Sequence, residues 1–321
     1  MTSDERDAAV TEAAEAIVGP AVHTRASACA AAAVPPERAT RLWRAMGFAE
    51  PADDAVLFTE QDVAALRIAA ALLDAGVVDE EGLVALARSM AQALSRLAVS
   101  HAAIAGSYVL RAGADATLAR HAAELVPNVG DLLGYVWRRH LVAAAESAVV
   151  TLLGAGETDV PVTVGFADLV GFTELSRELS AEELAELVEV FESTAAYAVA
   201  EHGGRVVKTL GDEVMFTTAD VRAGVDLGLA LAEGAGALGR EVRVGVAYGP
   251  VLARLGDVFG PTVNVASRLT GLARPGTVLV DREAANALRD DPAYDVAPIG
   301  RRAVRGYAHL APFRVRKASR S

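Results

Sequence analysis

Cysteine is almost absent: Cys29 is the only one in 321 residues. No intramolecular disulfide and no multi-cysteine zinc site can form, which suits a reducing compartment. Aromatic residues are scarce at 5%, yet apolar residues reach 52%, so alanine supplies much of the apolar count. Alanine-rich, charged stretches favour helix. Long apolar runs are missing too. Residues 63–78 are interrupted by Arg67 and Asp74, and residues 141–153 by Glu146. No stretch reaches the roughly 20 residues that a membrane-crossing helix needs, so no membrane span is expected. The opening stretch, MTSDERDAAVTEAAEA, is acidic and lacks the apolar core of a secretion signal. A soluble, cytoplasmic chain is the expectation. Net positive charge is also missing: the formal charge is −12. That argues against a protein that coats nucleic acid or an anionic membrane.

The length suggests two domains, each with ample chain for a core. Residues 1–155 show helical spacing throughout. Leu83, Leu86, Met90, Leu94 and Leu97 recur every three or four positions, as do Val63, Leu66, Ala70 and Leu73. Pro35 and Pro36 mark a helix start, with Glu37 in the first turn. A long helical pattern from about Asp131 to Leu153 ends in GAGETDVP, which reads as the domain boundary. Beyond it, short β-type runs (VTVGFAD, RVVKT, EVMFT, VRVGVAY, TVLV, FRVRK) alternate with helical stretches. This alternation implies an α/β or α+β sheet layered by helices, over residues 156–321.

Lysine is the other scarce residue. Only Lys208 and Lys317 occur among 30 basic side chains. Lys208 stands in VVKTLGDEVMF, four residues before Asp212 in a Gly-Asp turn signal. A second strand, FADLVGFT, ends in Asp168 before a glycine-containing turn, and the turn leads to a helix that opens near Ser180 with Glu182 and Glu183. A carboxylate at a strand end can hold a hard cation, and turn N–H groups can meet phosphate oxygens. Taken alone, Asp168 could equally cap a turn, and Asp212 could be an ordinary hairpin residue. A third stretch, GDVFGPTVNVASRLTGLARPG, places Asn264 and Arg268 four apart on a helix face, seven residues after Asp257.

Together, FADLVGFT, KTLGDEVMF, DVFGPTVNVASRL and PG-T-VLV, in this order, resemble the catalytic domain of the class III nucleotidyl cyclases, the adenylyl and guanylyl cyclase family. The resemblance implies an α+β chain: an all-helical N-terminal regulatory domain (1–155), ending in a linker helix, followed by a ferredoxin-like βαββαβ catalytic domain (156–321). It implies metal ligation by Asp168 and Asp212, adenine selection by Lys208 and Asp257, and transition-state roles for Asn264 and Arg268. Gly171, Phe172 and Thr173 match the turn that holds phosphates. The implied reaction is conversion of ATP to 3′,5′-cyclic AMP and pyrophosphate, with two Mg²⁺ or Mn²⁺ ions per site. A homodimer is implied, because such sites lie between two chains. Only eight residues, GPVLARLG, separate Tyr248 from Asp257, a shorter arm than many members carry.

The N-terminal half resembles the helical regulatory domain of actinobacterial cyclases, some of which respond to pH, through RLWRAMGF, LFTEQDVAAL and the long helix. His101, His121 and His140 lie in its later part, and histidine changes charge near neutral pH. A second reading is that RLWRAMGF…FTEQDVAALR resembles a MerR-type helix-turn-helix. The chain would then be a DNA-binding regulator whose cyclase-fold domain senses a nucleotide without turnover. The acidity of residues 1–155, with 19 acidic against 12 basic side chains, opposes phosphate contacts.

Overall fold

In the computed structural model of the chain, the described residues are 14–49, 51–111, 126–154, 161–234, 239–254, 256–304 and 307–318. Two compact units divide the chain, Met1–Glu146 and Ser147–Ser321. Most of the expected boundary segment, residues 155–160, lies outside the described residues, as does His121.

The first unit is helical. Helix α1 (Arg25–Ala32) starts at Thr24, whose hydroxyl accepts from Ser27 N in a capping box. Helix α2 (Pro36–Ala45) begins at a proline, as expected, because the first turn needs no N–H there. Helix α3 (Glu60–Asp74) is capped by the Thr59–Asp62 box. Helix α4 runs over Glu80–Arg111 and α5 over Val126–Gly154. The core is small: Cys29, Leu42, Trp43, Phe58, Val63, Leu66 and Leu83 are buried together. Trp43 and Phe58 stack at 4.4 Å between ring centroids. Burial raises the Cys29 thiol above its ordinary value, so this cysteine behaves as a core residue. The apolar spacing read from α4 is real, but only its first turns are covered. Leu83 is 4% exposed, whereas Met90 is 50% exposed.

The second unit is built on a seven-stranded sheet. Its start is β1 (Pro161–Leu169), α6 (Phe172–Glu178), α7 (Ala181–Glu201), β2 (Arg205–Leu210), β3 (Glu213–Thr218), α8 (Val221–Gly234) and β4 (Val242–Pro250). These four strands pair antiparallel in the order β2-β3-β1-β4, the ferredoxin-like βαββαβ arrangement expected from the resemblance. The sequence reading placed one helix after the Asp168 turn, near Ser180. The structure has two, because α6 forms first and ends before Ser180, which caps α7 through Glu183.

The chain continues as β5 (Leu252–Arg254), β6 (Asp257–Phe259), α9 (Pro261–Leu272), β7 (Val278–Val280) and α10 (Arg282–Ala287). It closes with β8 (Tyr294–Pro298), β9 (Arg302–Val304), β10 (Tyr307–Leu310) and β11 (Phe313–Lys317). Strand β7 joins β4 in parallel, and β11 and β8 extend that edge.

Alternation along the strands sends side chains to two faces. One face carries Val214, Phe216, Val244 and Val246 against Phe191, Ala195 and Val199 of α7 and Val225 of α8. The other carries Val164, Phe166, Met215 and Ala247 against Ala266 and Leu269 of α9. Gly245 lets α9 sit close: a Cβ there would come within 2.2 Å of the Thr270 backbone nitrogen. Gly245→Ala therefore forces α9 off β4, with an expected cost of about 1–3 kcal/mol. The urea midpoint of the full chain measures it, and an unchanged midpoint would show that α9 is not held there.

Asp281 caps α10 by accepting from Ala284 N and also from Tyr248 N of β4. Burial, opposed by these two N–H groups and aided by the charge of Glu283, raises its carboxyl to about 7 from 3.8. The folded value lies above the unfolded one, so the neutral form is favoured in the fold. Its stabilising contribution is complete below pH 3.8 and is lost as pH rises through about 7. Asp281→Asn keeps an acceptor for the cap and removes the titration. The expected result is a flatter stability profile between pH 5 and about 8, read by chemical denaturation at each pH.

Candidate active site

Asp168 ends β1 on the α9 face of the sheet. Its register partners are Glu213 on β3 and Arg243 on β4, so the three form one row across three strands. Directly opposed residues share a face and sit close enough to interact. The Arg243 guanidinium reaches Asp168 Oδ2 with both Nε and Nη2 at 2.5 Å. Asp212 occupies the β2–β3 turn after Gly211, whose φ of 70° suits glycine there. The Asp212 carbonyl accepts from Leu169 N at 3.0 Å, which ties this turn to the end of β1.

Three carboxylates thus crowd one strand end, and their charges act on each other. Asp168 is raised by burial and by the neighbouring Asp212, with Arg243 pulling the other way. Glu213 is pushed up to about 7 by burial, then by the charges of Asp168 and Asp212. One guanidinium does not offset three carboxylates, and a divalent cation would. The donors fit a hard cation: they are oxygens, and Arg243 engages only Oδ2 of Asp168. Among the described residues no group of three or more His, Cys, Asp or Glu side chains is arranged to hold a metal by itself.

Lys208 and Asp257 come together. Lys208 Nζ lies 2.6 Å from Asp257 Oδ2, with the side chains 36% and 29% exposed. A register shift between Val206 and Lys208 inserts an extra residue into β2, and such bulges re-aim the chain. Asp257 Oδ1 accepts from Val258 N at 2.8 Å. Burial pushes the Asp257 carboxyl up, but Lys208 and this N–H outweigh it and the net shift is downward.

Helix α9 buries Thr262, Ala266, Leu269 and Thr270. Asn264 and Arg268, one turn apart, are exposed on its other side. Among the described residues neither side chain makes a hydrogen bond or ion pair. They are not brought to the Asp168 row by their own helix. Gly171, with φ 80°, caps α6; Phe172 packs against the core, and Thr173 is exposed. Sequence reasoning missed Arg243 and Glu213. Arg243 sits inside the apolar run VRVGVAY, and a charged residue in such a run was the available signal.

A sheet of this topology, with carboxylates at the end of β1 and in the β2–β3 turn and an exposed polar helix face, defines a catalytic domain of the nucleotide-cyclase class. The family model described as the adenylate and guanylate cyclase catalytic domain matches residues 156–316. The adenylate cyclase regulatory domain model matches residues 10–144. The chain belongs to the adenylate cyclase family and is an adenylate cyclase with its regulatory domain. It is 43% identical to an adenylate cyclase of Streptomyces coelicolor over 86% of this chain and 74% of that protein. It is 35% identical to a pH-sensitive adenylate cyclase of Mycobacterium tuberculosis, over 87% of this chain and 74% of that one. The crystal structure of the adenylyl cyclase CyaB from P. aeruginosa is 26% identical, covering 50% of this chain and 95% of its own, with a TM-score of 0.47.

Asp168 is 8% exposed, and among the described residues Arg243 is its one cationic partner. Arg243→Met is expected to destabilise the metal-free chain by about 1–3 kcal/mol, because a carboxylate is left unpaired. Millimolar Mg²⁺ should recover part of the loss in a thermal melt. Equal Mg²⁺ effects on variant and parent would contradict the charge-deficit account.

Proposed function

We propose that this adenylate cyclase forms 3′,5′-cyclic AMP and pyrophosphate from ATP at two equivalent sites in a homodimer, with residues 156–321 catalytic and residues 1–155 regulatory. The observation that carries the proposal is the outward face of α9. Asn264 and Arg268 point away from the sheet that bears Asp168, and they have no partner among the described residues. A second chain can present the same pair to the Asp168 row, and two-fold symmetry makes the arrangement reciprocal.

In this reading Asp168 and Asp212 hold Mg²⁺ or Mn²⁺. Two such ions, when bound, lower the pKa of the ribose 3′-hydroxyl and bind the triphosphate. Lys208 and Asp257 read the adenine ring: the ammonium donates to a ring nitrogen and the carboxylate accepts from the amino group. Their existing ion pair holds donor and acceptor side by side before the base arrives. Guanine has a carbonyl where adenine has the amino group, so Asp257 selects against GTP. Asn264 orients the ribose. Arg268 meets the charge that develops on the α-phosphate, and the turn at Gly171, Phe172 and Thr173 offers backbone N–H groups to phosphate oxygens.

The relationship to a pH-sensitive cyclase supports pH as the regulatory signal. His101 on α4 and His140 on α5 are exposed side chains in that half. The match of residues 10–144 to a cyclase regulatory domain favours this over the DNA-binding reading. A cytoplasmic location is part of the proposal. Among the described residues no helix is long and apolar enough to cross a membrane.

Purified full-length protein should make cyclic AMP from ATP and little cyclic GMP from GTP. Asp212→Ala should abolish the activity, and Arg268→Ala should lower kcat by about 10²–10³. Cyclic AMP formation that survives Asp212→Ala would remove this site from the mechanism. His101→Gln and His140→Gln together should flatten the rate-versus-pH curve; a curve superimposable on the parent's would exclude both as sensors.

A further inference from the structure

A recess of about 310 Å³ lies in the first unit, lined by Arg41, Arg44 and Ala45 of α2 and by Val84 and Arg88 of α4. Three of the five lining residues are arginines, in a chain of net charge −12. Like charges gathered at short range oppose one another. Nearby, Arg38 is neutralised by Glu80 at 2.6 Å. Arg41 and Arg88 have no such relief: among the described residues neither makes a hydrogen bond or ion pair, and both are exposed. The C-terminal dipole of α2 accounts for Arg44, which lies in its last turn. It does not account for Arg88, which lies well inside α4. A guanidinium presents a planar fork that matches phosphate oxygens, and arginine clusters recognise phosphate groups. Ala45 and Val84 give the recess a small apolar floor.

We propose that this recess binds a small phosphate-bearing anion, held between α2 and α4 by Arg41 and Arg88. The volume suits a phosphate or diphosphate group and its attachment, not an extended duplex. Binding would add a further link between two helices that already meet through the core around Leu42 and Leu83 and through the Arg38–Glu80 pair. This site is separate from the residues assigned to turnover and does not depend on that assignment.

The test is calorimetric titration of the full-length chain with inorganic pyrophosphate and with inorganic phosphate. It is run without divalent ions and at constant ionic strength. Arg41→Gln, Arg88→Gln and the exposed control Arg96→Gln on α4 run beside it, each checked by its thermal melt. The expected result is saturable binding that weakens at least tenfold in Arg41→Gln and in Arg88→Gln and is unchanged in Arg96→Gln. No saturable binding by the parent overturns the proposal. So does equal binding by all variants, which would place the anion elsewhere. Retention of a DNA duplex without binding of either small anion also overturns it, in favour of a nucleic-acid surface.

Discussion

Three carboxylates at one strand end, with a single guanidinium between them among the described residues, are the constraint around which the catalytic unit is arranged. The register of β3, β1 and β4 places Glu213, Asp168 and Arg243 in one row. The carbonyl of Asp212 secures the β2–β3 turn to the end of β1. Such crowding is costly in a metal-free protein: burial first, and then the neighbouring carboxylates, raise both Asp168 and Glu213. In the proposed reading it would also let the site bind a doubly charged ion with few protein ligands, because each carboxylate would gain from the ion. The cost is supported by the rest of the unit: two packed faces, and a glycine at 245 that brings α9 against β4.

A division of labour follows. Residues that face the protein's own sheet hold the carboxylates in place. Residues that face away, Asn264 and Arg268, have nothing to act on within the described part of their own chain. Lys208 and Asp257 are paired with each other, and the Lys208 ammonium lies 5.9 Å from the Phe259 ring centroid. A scarce lysine is thus placed where a compact donor can sit beside a carboxylate; a guanidinium fork is wider.

Much of this was legible in the sequence because local rules and motif order agreed. The Pro36 helix start, the Ser180 cap, the Gly211-Asp212 turn and the helix after Gly260 all follow from short-range chemistry. The ferredoxin-like order came from the resemblance; periodicity alone left α/β and α+β open. Arg243 was not legible, because its role depends on register across three strands, which no local pattern encodes. The short helix α6 was missed because seven residues are too few to show a period. The apolar stripe of α4 was read correctly as periodic. Its later turns stay exposed among the described residues, which periodicity cannot foretell.

The central claim is that one chain supplies Asp168 and Asp212 while its partner supplies Asn264 and Arg268. Mixing two inactive full-length variants, Asp212→Ala and Arg268→Ala, tests it most directly. In a mixed dimer one site would carry both defects and the other neither. After exchange of subunits the mixture should therefore regain about a quarter of parental cyclic AMP production, from random pairing of equal amounts. A mixture as inactive as its components, with mixed dimers shown to form, would contradict the shared-site account.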